Sequence, residues 1–260
     1  MREVSFSVGR NNRKVQGFLH EDLSSYCETV KRRPAMIVCP GGAYIHLSPR
    51  EAEPVAFKYF ARGYNVFILW YSIGDLIEKE MPLRELAECV DTVRRSADEY
   101  LIDENMISVI GFSAGGHLVA SLATMWDEEL CAGFNAKVSS VILGYPVITA
   151  GEYAHRGSLE NISRSGYPAE FWSLENRVKP STVPCFIFHS ADDPTVPLDN
   201  ALLYMSALRK NGVFFESHIY PTGGHGFSTA TREVGSDFPH DRDWGEMSLE
   251  FIEGITGWRE

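Results

Sequence analysis

Residues 107–117 read Ile-Ser-Val-Ile-Gly-Phe-Ser-Ala-Gly-Gly-His, an apolar run that passes through a glycine-flanked serine into a helical pattern. The pattern G-x-S-x-G between a strand and a helix predicts a sharp turn that exposes the serine at the carboxyl edge of a sheet. Glycines two residues before and two residues after the serine relieve the crowding that such a turn creates. Ser113 is therefore a candidate nucleophile, and the alternative is a serine that caps the helix.

A serine nucleophile needs a histidine base and an acid that orients the base. The apolar run Cys185–His189 predicts a buried strand, and two aspartates and a proline-rich turn follow it. We choose Asp193 over Asp192 because Asp193 stands in the frame D-x-x-V-P. The other aspartate is expected to hold a turn or to cap the helix that follows.

The predicted base is His225, which follows the strand Glu216–Tyr220 on a loop with a glycine on each side. The chain order Ser113, Asp193, His225 is the order of the triad in α/β-hydrolases. The exposed-looking His240 is kept as an alternative base. The remaining histidines that lie in predicted strands, helices or the N-terminal hairpin are expected to be structural: His20, His117, His189 and His218.

A reaction at Ser113 also needs donors for the negative oxygen of a tetrahedral intermediate, and main-chain N–H groups usually supply them. One donor is expected at Ala114, directly after the nucleophile. The other is expected in the loop Pro40-Gly-Gly-Ala-Tyr44, because its glycines let the backbone approach closely. The sequence does not decide whether Gly42 or Ala43 is that second donor.

Strands alternate with helical patterns along most of the chain, which predicts an α/β fold with a mostly parallel central sheet and helices on both faces. An antiparallel hairpin around Gly9–Asn12 is expected to precede it. The predicted strands are Val4–Val8, Val15–Leu19, Ala35–Cys39, Asn65–Leu69, Ile107–Ile110, Val138–Gly144, Cys185–His189 and Glu216–Tyr220. The predicted helices are Glu51–Arg62, Leu83–Tyr100, Ala114–Trp126, Asn200–Asn211 and Trp244–Ile255.

Residues 147–180 interrupt this alternation, with no clear strand or long periodic helix. We interpret them as a cap-like insertion after the sixth strand, within a single domain that spans residues 1–260. Aromatic rings beside hydrogen-bonding side chains suit a sugar ring, although the same rings could simply fill core beneath the insertion. The candidate substrate contacts are Tyr44, His46, His155 and Trp172.

Composition limits the partners of the chain. Its 260 residues include 24 Lys and Arg against 35 Asp and Glu, so a net charge of −11 makes nucleic acid an unlikely partner. The five cysteines form no C-x-x-C motif, which argues against disulfides and a zinc site, and no metal or other cofactor is expected. No apolar run is long enough for a membrane span, and we expect a cytoplasmic protein. The sequence leaves the oligomeric state open, a homo-oligomer included.

Together these segments resemble a family of small α/β-hydrolase esterases, the acetyl-esterase and xylan-esterase-like proteins. The resemblance runs from about residue 34 to the C-terminus, and Ala43 departs from it where a third glycine is usual. The matching segments are Cys39-Pro-Gly-Gly-Ala-Tyr44, Arg50-Glu-Ala-Glu-Pro54, Gly63-Tyr-Asn-Val-Phe67, Gly111-Phe-Ser-Ala-Gly-Gly-His117, His155-Arg-Gly-Ser158, Val183-Pro-Cys-Phe186, residues 189–197 and Gly224-His-Gly-Phe227.

The resemblance implies Ser113, Asp193 and His225 as the triad of a serine esterase that acts on a small-molecule ester. The expected acyl group is short, acetyl foremost, and the expected ester substrates are O-acetylated sugars or xylo-oligosaccharides. Another serine hydrolase of the same fold, such as a formamidase, lactonase or small peptidase, is the alternative. A non-catalytic binding protein on this scaffold is a third reading.

Overall fold

The computed structural model describes residues 1–23, 25–26, 31–78 and 81–259. Its strands are β1 (Arg2–Val8), β2 (Arg13–Leu19), β3 (Arg33–Cys39), β4 (Asn65–Leu69), β5 (Ile102–Phe112), β6 (Ser140–Gly144), β7 (Cys185–Ser190) and β8 (Phe215–Tyr220). They form one sheet in the order β1-β2-β4-β3-β5-β6-β7-β8. Strands β3 to β8 are parallel, and the N-terminal hairpin joins β4 antiparallel. The predicted mostly parallel sheet and its antiparallel hairpin are confirmed.

Helices cover both faces of the sheet, as the alternating pattern predicted. They are α1 (Glu53–Phe60), α2 (Pro82–Arg95), α3 (Ala97–Tyr100), α4 (Ala114–Met125), α5 (Arg156–Ser163), α6 (Asp199–Lys210) and α7 (Trp244–Thr256). One hydrophobic cluster packs α2, α4 and α6 against the sheet, and a second packs α1 and α7 against it. Neighbouring strand residues feed different clusters: Ile37 belongs to the first and Val38 to the second. Strand residues alternate between faces, so a doubly covered strand is apolar throughout.

Two predicted elements have other bounds in the structure, and one interval holds a helix that the sequence did not show. The strand predicted over Ile107–Ile110 is the eleven-residue β5, which begins at Ile102 and ends at Phe112. The helix predicted over 83–100 is two helices, because the chain breaks at Ser96 and ends in a left-handed residue, Leu101. The interval 147–180 contains α5 and two 3₁₀ turns, Ala169–Trp172 and Leu174–Asn176. An eight-residue helix makes only about two turns, too few to show a clear apolar period.

Neither a disulfide nor a metal site cross-links the described residues. Cys39, Cys89, Cys131 and Cys185 are buried free thiols, while Cys27 lies outside the described residues. In the same described ranges, no group of three His, Cys, Asp or Glu side chains is placed to hold a metal ion. No described helix has both the length and the apolar character needed to cross a membrane.

A buried histidine joins three parts of the molecule. The Tyr44 hydroxyl, in the loop after β3, lies 2.8 Å from His117 Nδ1, and His117 Nε2 lies 3.0 Å from the carbonyl oxygen of Trp172. A carbonyl only accepts, so Nε2 carries the proton and the tyrosine donates to Nδ1. Burial lowers the pKa of His117 to about 4, so the ring is neutral near pH 7.

Tyr44 and Trp172 are therefore corrected from substrate contacts to packing residues. Each is only 1% exposed. Trp172 lies in an aromatic cluster with Tyr167, Phe171 and His117, with ring centroids 5.0–6.1 Å apart. Burial of a large aromatic ring contributes more free energy than burial of a small side chain, and the insertion 147–180 shields these rings from water.

His117 should make the stability of the protein depend on pH. In the unfolded chain a histidine binds a proton near pH 6.5, whereas His117 in the folded chain stays neutral down to about pH 4. The unfolded state thus binds more protons between these values, and stability falls as the pH falls. Between pH 7 and pH 5 this group should remove about 2 kcal/mol of unfolding free energy.

Urea unfolding of the wild type and of His117→Gln at both pH values measures this contribution. The variant should show a correspondingly smaller loss between pH 7 and pH 5. His240→Gln, which removes an exposed histidine, is the matched control. An equal loss in His117→Gln and in the wild type would contradict the assignment.

Candidate active site

Ser113 occupies a strained turn between β5 and α4. Its backbone angles, φ 52° and ψ −117°, lie outside the regions that side-chain-bearing residues prefer. The Ser113 N–H donates to the carbonyl oxygen of Gly144 at 3.0 Å, which anchors the turn to β6. A Cβ on Gly111 would lie 2.2 Å from the Gly115 carbonyl oxygen, and one on Gly115 would lie 2.2 Å from that of Cys39. Both flanking glycines are therefore required by close backbone approach, as the sequence predicted.

The structure brings the three predicted triad residues into contact. Ser113 Oγ lies 2.9 Å from His225 Nε2, and His225 Nδ1 lies 2.7 Å from Asp193 Oδ2. The carboxylate is fully buried, while the imidazole keeps about a fifth of its surface exposed. This is the arrangement in which an imidazole can accept the serine proton while the carboxylate holds its orientation.

Asp193 is held as a carboxylate by a dense set of donors. Its Oδ1 accepts the main-chain N–H groups of Thr195 at 2.8 Å and Val196 at 2.9 Å. Burial alone would raise the pKa of Asp193, but the hydrogen bonds from His189 and His225 outweigh burial and hold that pKa well below its ordinary value. The acid is thus ionised across the range in which proteins are usually active.

His189 is a neighbour of the site that sequence reasoning placed only among structural histidines. Its ring is completely buried, with Nε2 2.9 Å from the Val196 carbonyl oxygen and 3.3 Å from Asp193 Oδ2. Its Nδ1 has no hydrogen-bond partner among the described residues. The signal that could have found it is its position at the end of a strand, four residues before the acid.

Asp192 has a different role from Asp193. Its Oδ1 accepts the N–H of Gly224 at 2.8 Å, and the Ser190 hydroxyl donates to the Gly224 carbonyl oxygen at 2.5 Å. These two bonds fix the loop that carries His225. As predicted, Asp193 rather than Asp192 contacts the histidine. The turn role expected for Asp192 belongs instead to Asp193, which accepts the N–H groups of Thr195 and Val196, whereas Asp192 holds the loop of His225.

The candidate oxyanion donors lie around the nucleophile. Gly42 and Ala43 line the same cavity as Ser113, and Ala114 begins α4 directly after it. Among the described residues, the N–H groups of these three have no hydrogen-bond partner. The first N–H groups of a helix lack partners within the helix and favour negative charge, so a developing oxyanion is well placed there.

The cavity beside Ser113 has a volume of about 260 Å³. It is lined by Gly42, Ala43, His46, Ser48, Arg50, Glu51, Ser113, His155, Thr195, His225 and Gly226. The predicted substrate contacts His46 and His155 lie in this wall, whereas Tyr44 and Trp172 do not. The largest purely aliphatic side chain in the wall is that of Ala43. A larger surface cleft of about 410 Å³ between Arg62 and Glu253 contains none of the triad residues.

His155 is a fixed hydrogen-bond donor in the cavity wall. It precedes α5, and its Nδ1 accepts the Ser158 N–H at 3.3 Å and lies 2.8 Å from the Ser158 hydroxyl. Burial, followed by the charge of His225, lowers the pKa of His155, although Asp193 opposes them. The neutral ring therefore carries its proton on Nε2, which can donate to an oxygen atom.

Comparison with known proteins places this geometry in a family. The family model described as "Prolyl oligopeptidase family" matches residues 60–249. The chain is 34% identical over 230 residues to endo-1,4-beta-xylanase B of Butyrivibrio fibrisolvens, covering 84% of this chain and 36% of that protein. It is 33% identical over 208 residues to an acetylxylan esterase of Xylanibacter ruminicola, covering 76% of this chain and 42% of that protein.

A solved structure extends the likeness to the whole chain. The acetyl ester-xyloside bifunctional hydrolase of Caldicellulosiruptor lactoaceticus superposes with a TM-score of 0.81 at 28% identity, covering 100% of this chain and 97% of that one. The chain spans less than half the length of the two curated relatives. The resemblance to the α/β-hydrolase esterases is confirmed by these matches and by the sheet. With a family match over more than half of its length, this chain belongs to the prolyl oligopeptidase family.

Proposed function

We propose that this protein is a serine esterase that removes short acyl groups, acetyl foremost, from O-acetylated sugars or xylo-oligosaccharides. The observation that carries the proposal is the hydrogen-bonded chain from Ser113 Oγ through His225 to Asp193 at the wall of a small cavity. A binding protein would gain nothing from a strained serine held 2.9 Å from a histidine.

The geometry supports an acyl-enzyme mechanism. Ser113 Oγ attacks the ester carbonyl carbon while His225 Nε2 takes its proton, and the resulting oxyanion is held by main-chain N–H groups of Ala114 and the Gly42–Ala43 segment. His225 then gives the proton to the leaving alcohol oxygen, and the ester C–O bond breaks. Water attacks the acyl-enzyme with His225 again as base, which releases the carboxylic acid and restores the serine.

The wall of the cavity favours a short acyl group. A long acyl chain is stabilised by contact with apolar surface, at roughly 25 cal/mol per Å² removed from water. The cavity holds only about 260 Å³, eight of its eleven lining residues carry polar or charged side chains, and Ala43 is its largest aliphatic side chain. An acetyl group has little apolar surface, so it loses little binding free energy in such a site.

Two relatives support the alcohol half of the proposal. One carries the name acetylxylan esterase and one solved structure is called an acetyl ester-xyloside hydrolase. In this chain, His46 and His155 provide ring nitrogens in the cavity wall, which suit the hydroxyl groups of a sugar.

Free buried thiols among the described cysteines support the further proposal that the protein works in the reducing cytoplasm.

Cleavage of a peptide bond is a second candidate, because the matching family is named for oligopeptidases. The same triad and oxyanion donors can act on an amide. Comparing hydrolysis of acetyl esters with hydrolysis of short peptide p-nitroanilides discriminates the two functions. A higher kcat/KM for the anilides would favour the peptidase.

Removal of a triad group should abolish turnover without unfolding the protein. Ser113→Ala and His225→Ala should each lower kcat for p-nitrophenyl acetate by about 10⁴-fold or more. Asp193→Asn should cost more activity than Asp192→Asn, because only Asp193 contacts the imidazole. Circular dichroism checks folding, and wild-type-like turnover in a folded Ser113→Ala variant would contradict the proposal.

The acyl and alcohol preferences can be tested separately. The kcat/KM for p-nitrophenyl acetate should exceed that for the octanoate, since the cavity is small and has no aliphatic side chain larger than that of Ala43 to contact a long chain. Acetate should be released from acetylated xylo-oligosaccharides, measured by chromatography. A preference for octanoate would reject the acyl half, and no acetate release at high enzyme concentration would reject the alcohol half.

His155 should affect substrate binding more than chemistry. His155→Asn removes the imidazole from the cavity but keeps a side chain that can cap α5. It should raise KM for acetylated xylo-oligosaccharides several-fold with little change in kcat. His155→Ala, which also loses the cap, is the comparison for stability. An unchanged KM in His155→Asn would show that the ring does not contact the substrate.

A further inference from the structure

We propose that Glu51 is a positioning residue that holds the oxyanion loop and the His225 loop in register through its two carboxylate oxygens. This inference rests on the proposed function and deepens it. One buried side chain would align the loop of the oxyanion donors Gly42 and Ala43 with the loop that carries His225. Glu51 follows the loop after β3 and is only 3% exposed.

The two oxygens of Glu51 serve different loops. Oε2 accepts the N–H of Gly41, in the loop that carries Gly42 and Ala43, at 2.8 Å. Oε1 accepts the hydroxyl of Tyr145, which follows β6, at 2.6 Å. One carboxylate thus connects the carboxyl ends of two strands that are not neighbours in the sheet.

The contact with Gly41 lies against the nucleophile. A Cβ on Gly41 would lie 2.7 Å from Glu51 Oε2, 2.7 Å from the Phe112 carbonyl oxygen and 3.0 Å from Ser113 Cβ. Only a glycine fits between the carboxylate and the nucleophile turn. A shift of the Glu51 side chain would therefore move the oxyanion loop relative to Ser113.

The contact with Tyr145 reaches the base. Burial, and then the nearby charge of Glu51, raises the pKa of Tyr145 well above its ordinary value, so its hydroxyl stays protonated and donates. The same hydroxyl accepts the N–H of Ser228 at 3.0 Å, three residues after His225. The Tyr145 ring also packs edge-on against the His225 ring, with centroids 5.1 Å apart.

A carboxylate is the group that this position requires. Both contacts of Glu51 are with donors, so both of its oxygens must accept. A glutamine keeps one acceptor and turns an N–H donor toward the other donor, which leaves one buried group unpaired. Because the misplaced atoms are those that bind the transition state, the loss should fall on kcat rather than on KM.

Three variants test this role. Glu51→Gln and Tyr145→Phe should each lower kcat for p-nitrophenyl acetate by about 10- to 100-fold, since a misplacement near 1 Å can cost about 10²-fold. KM should change less than about threefold. Affinity for a trifluoromethyl ketone, which forms a tetrahedral adduct with the serine, should fall in parallel with kcat. The double variant should lose less than the product of the single losses, because both act on one network.

Glu85→Gln is the matched control. Glu85 is also a buried glutamate that accepts a main-chain N–H, that of Ser72 at 2.7 Å, and it does not line the cavity. It should lower the thermal midpoint but keep the wild-type kcat and ketone affinity. If Glu51→Gln does not fold, Tyr145→Phe alone gives the readout, because it removes a single hydroxyl and keeps the ring.

Labelling of Ser113 by a fluorophosphonate separates this inference from the proposed function. The reagent needs the nucleophile, the base and the oxyanion donors but no particular ester. If the wild type is labelled rapidly but cleaves no acetyl ester, the proposed substrate is wrong, and slower labelling of Glu51→Gln still supports the positioning role. Equal labelling rates and equal kcat in the wild type and in folded Glu51→Gln would overturn it, as would an equal loss in Glu85→Gln.

Discussion

The strained backbone at Ser113 is the constraint on which the site depends. A residue with positive φ at the end of a strand is tolerated only when its surroundings hold it there. Here β5 lies between β3 and β6 in the middle of the sheet, the Ser113 N–H is bonded to Gly144, and α4 packs so closely that neither Gly111 nor Gly115 has room for a side chain. The buried sheet thus provides the stability that keeps one serine in an unfavourable conformation, with its hydroxyl within hydrogen-bond distance of His225.

The loops around Ser113 are fixed by buried polar side chains that each contact two segments. His117 joins Tyr44 to Trp172, Asp193 joins its own turn to His225, and Glu51 joins Gly41 to Tyr145. The reason is general, because the loops at the carboxyl edge of a parallel sheet leave main-chain groups without ladder partners. Such groups must find hydrogen bonds elsewhere when they are buried. The side chains that supply them also set the distances of the site.

The insertion between β6 and β7 both packs against α4 and lines the cavity beside Ser113. Leu159, Ile162 and Trp172 extend the hydrophobic cluster that covers α4, while the Asn161 amide donates to the Ala43 carbonyl oxygen at 2.9 Å. His155, at the start of α5, lines the cavity. Changes in this segment can therefore alter the cavity without disturbing the sheet, which is consistent with one family containing proteins with names as different as peptidase and esterase.

The sequence by itself determined the strands, the faces of the main helices and the order of the candidate nucleophile, acid and base. Each of these leaves a local pattern: apolar runs, periods of three and four, and glycines at a turn. Only the tertiary structure decided which side chains share the site. Ser113 and His225 lie 112 residues apart, and Glu51 and Tyr145 lie 94 apart. Tyr44 and Trp172 were candidate sugar contacts in the sequence but are buried in the structure. Glu51 and His189 fall in segments that carry the family resemblance, yet only the structure shows that their side chains lie against the site. Such contacts depend on strand order and packing, which local periodicity does not encode.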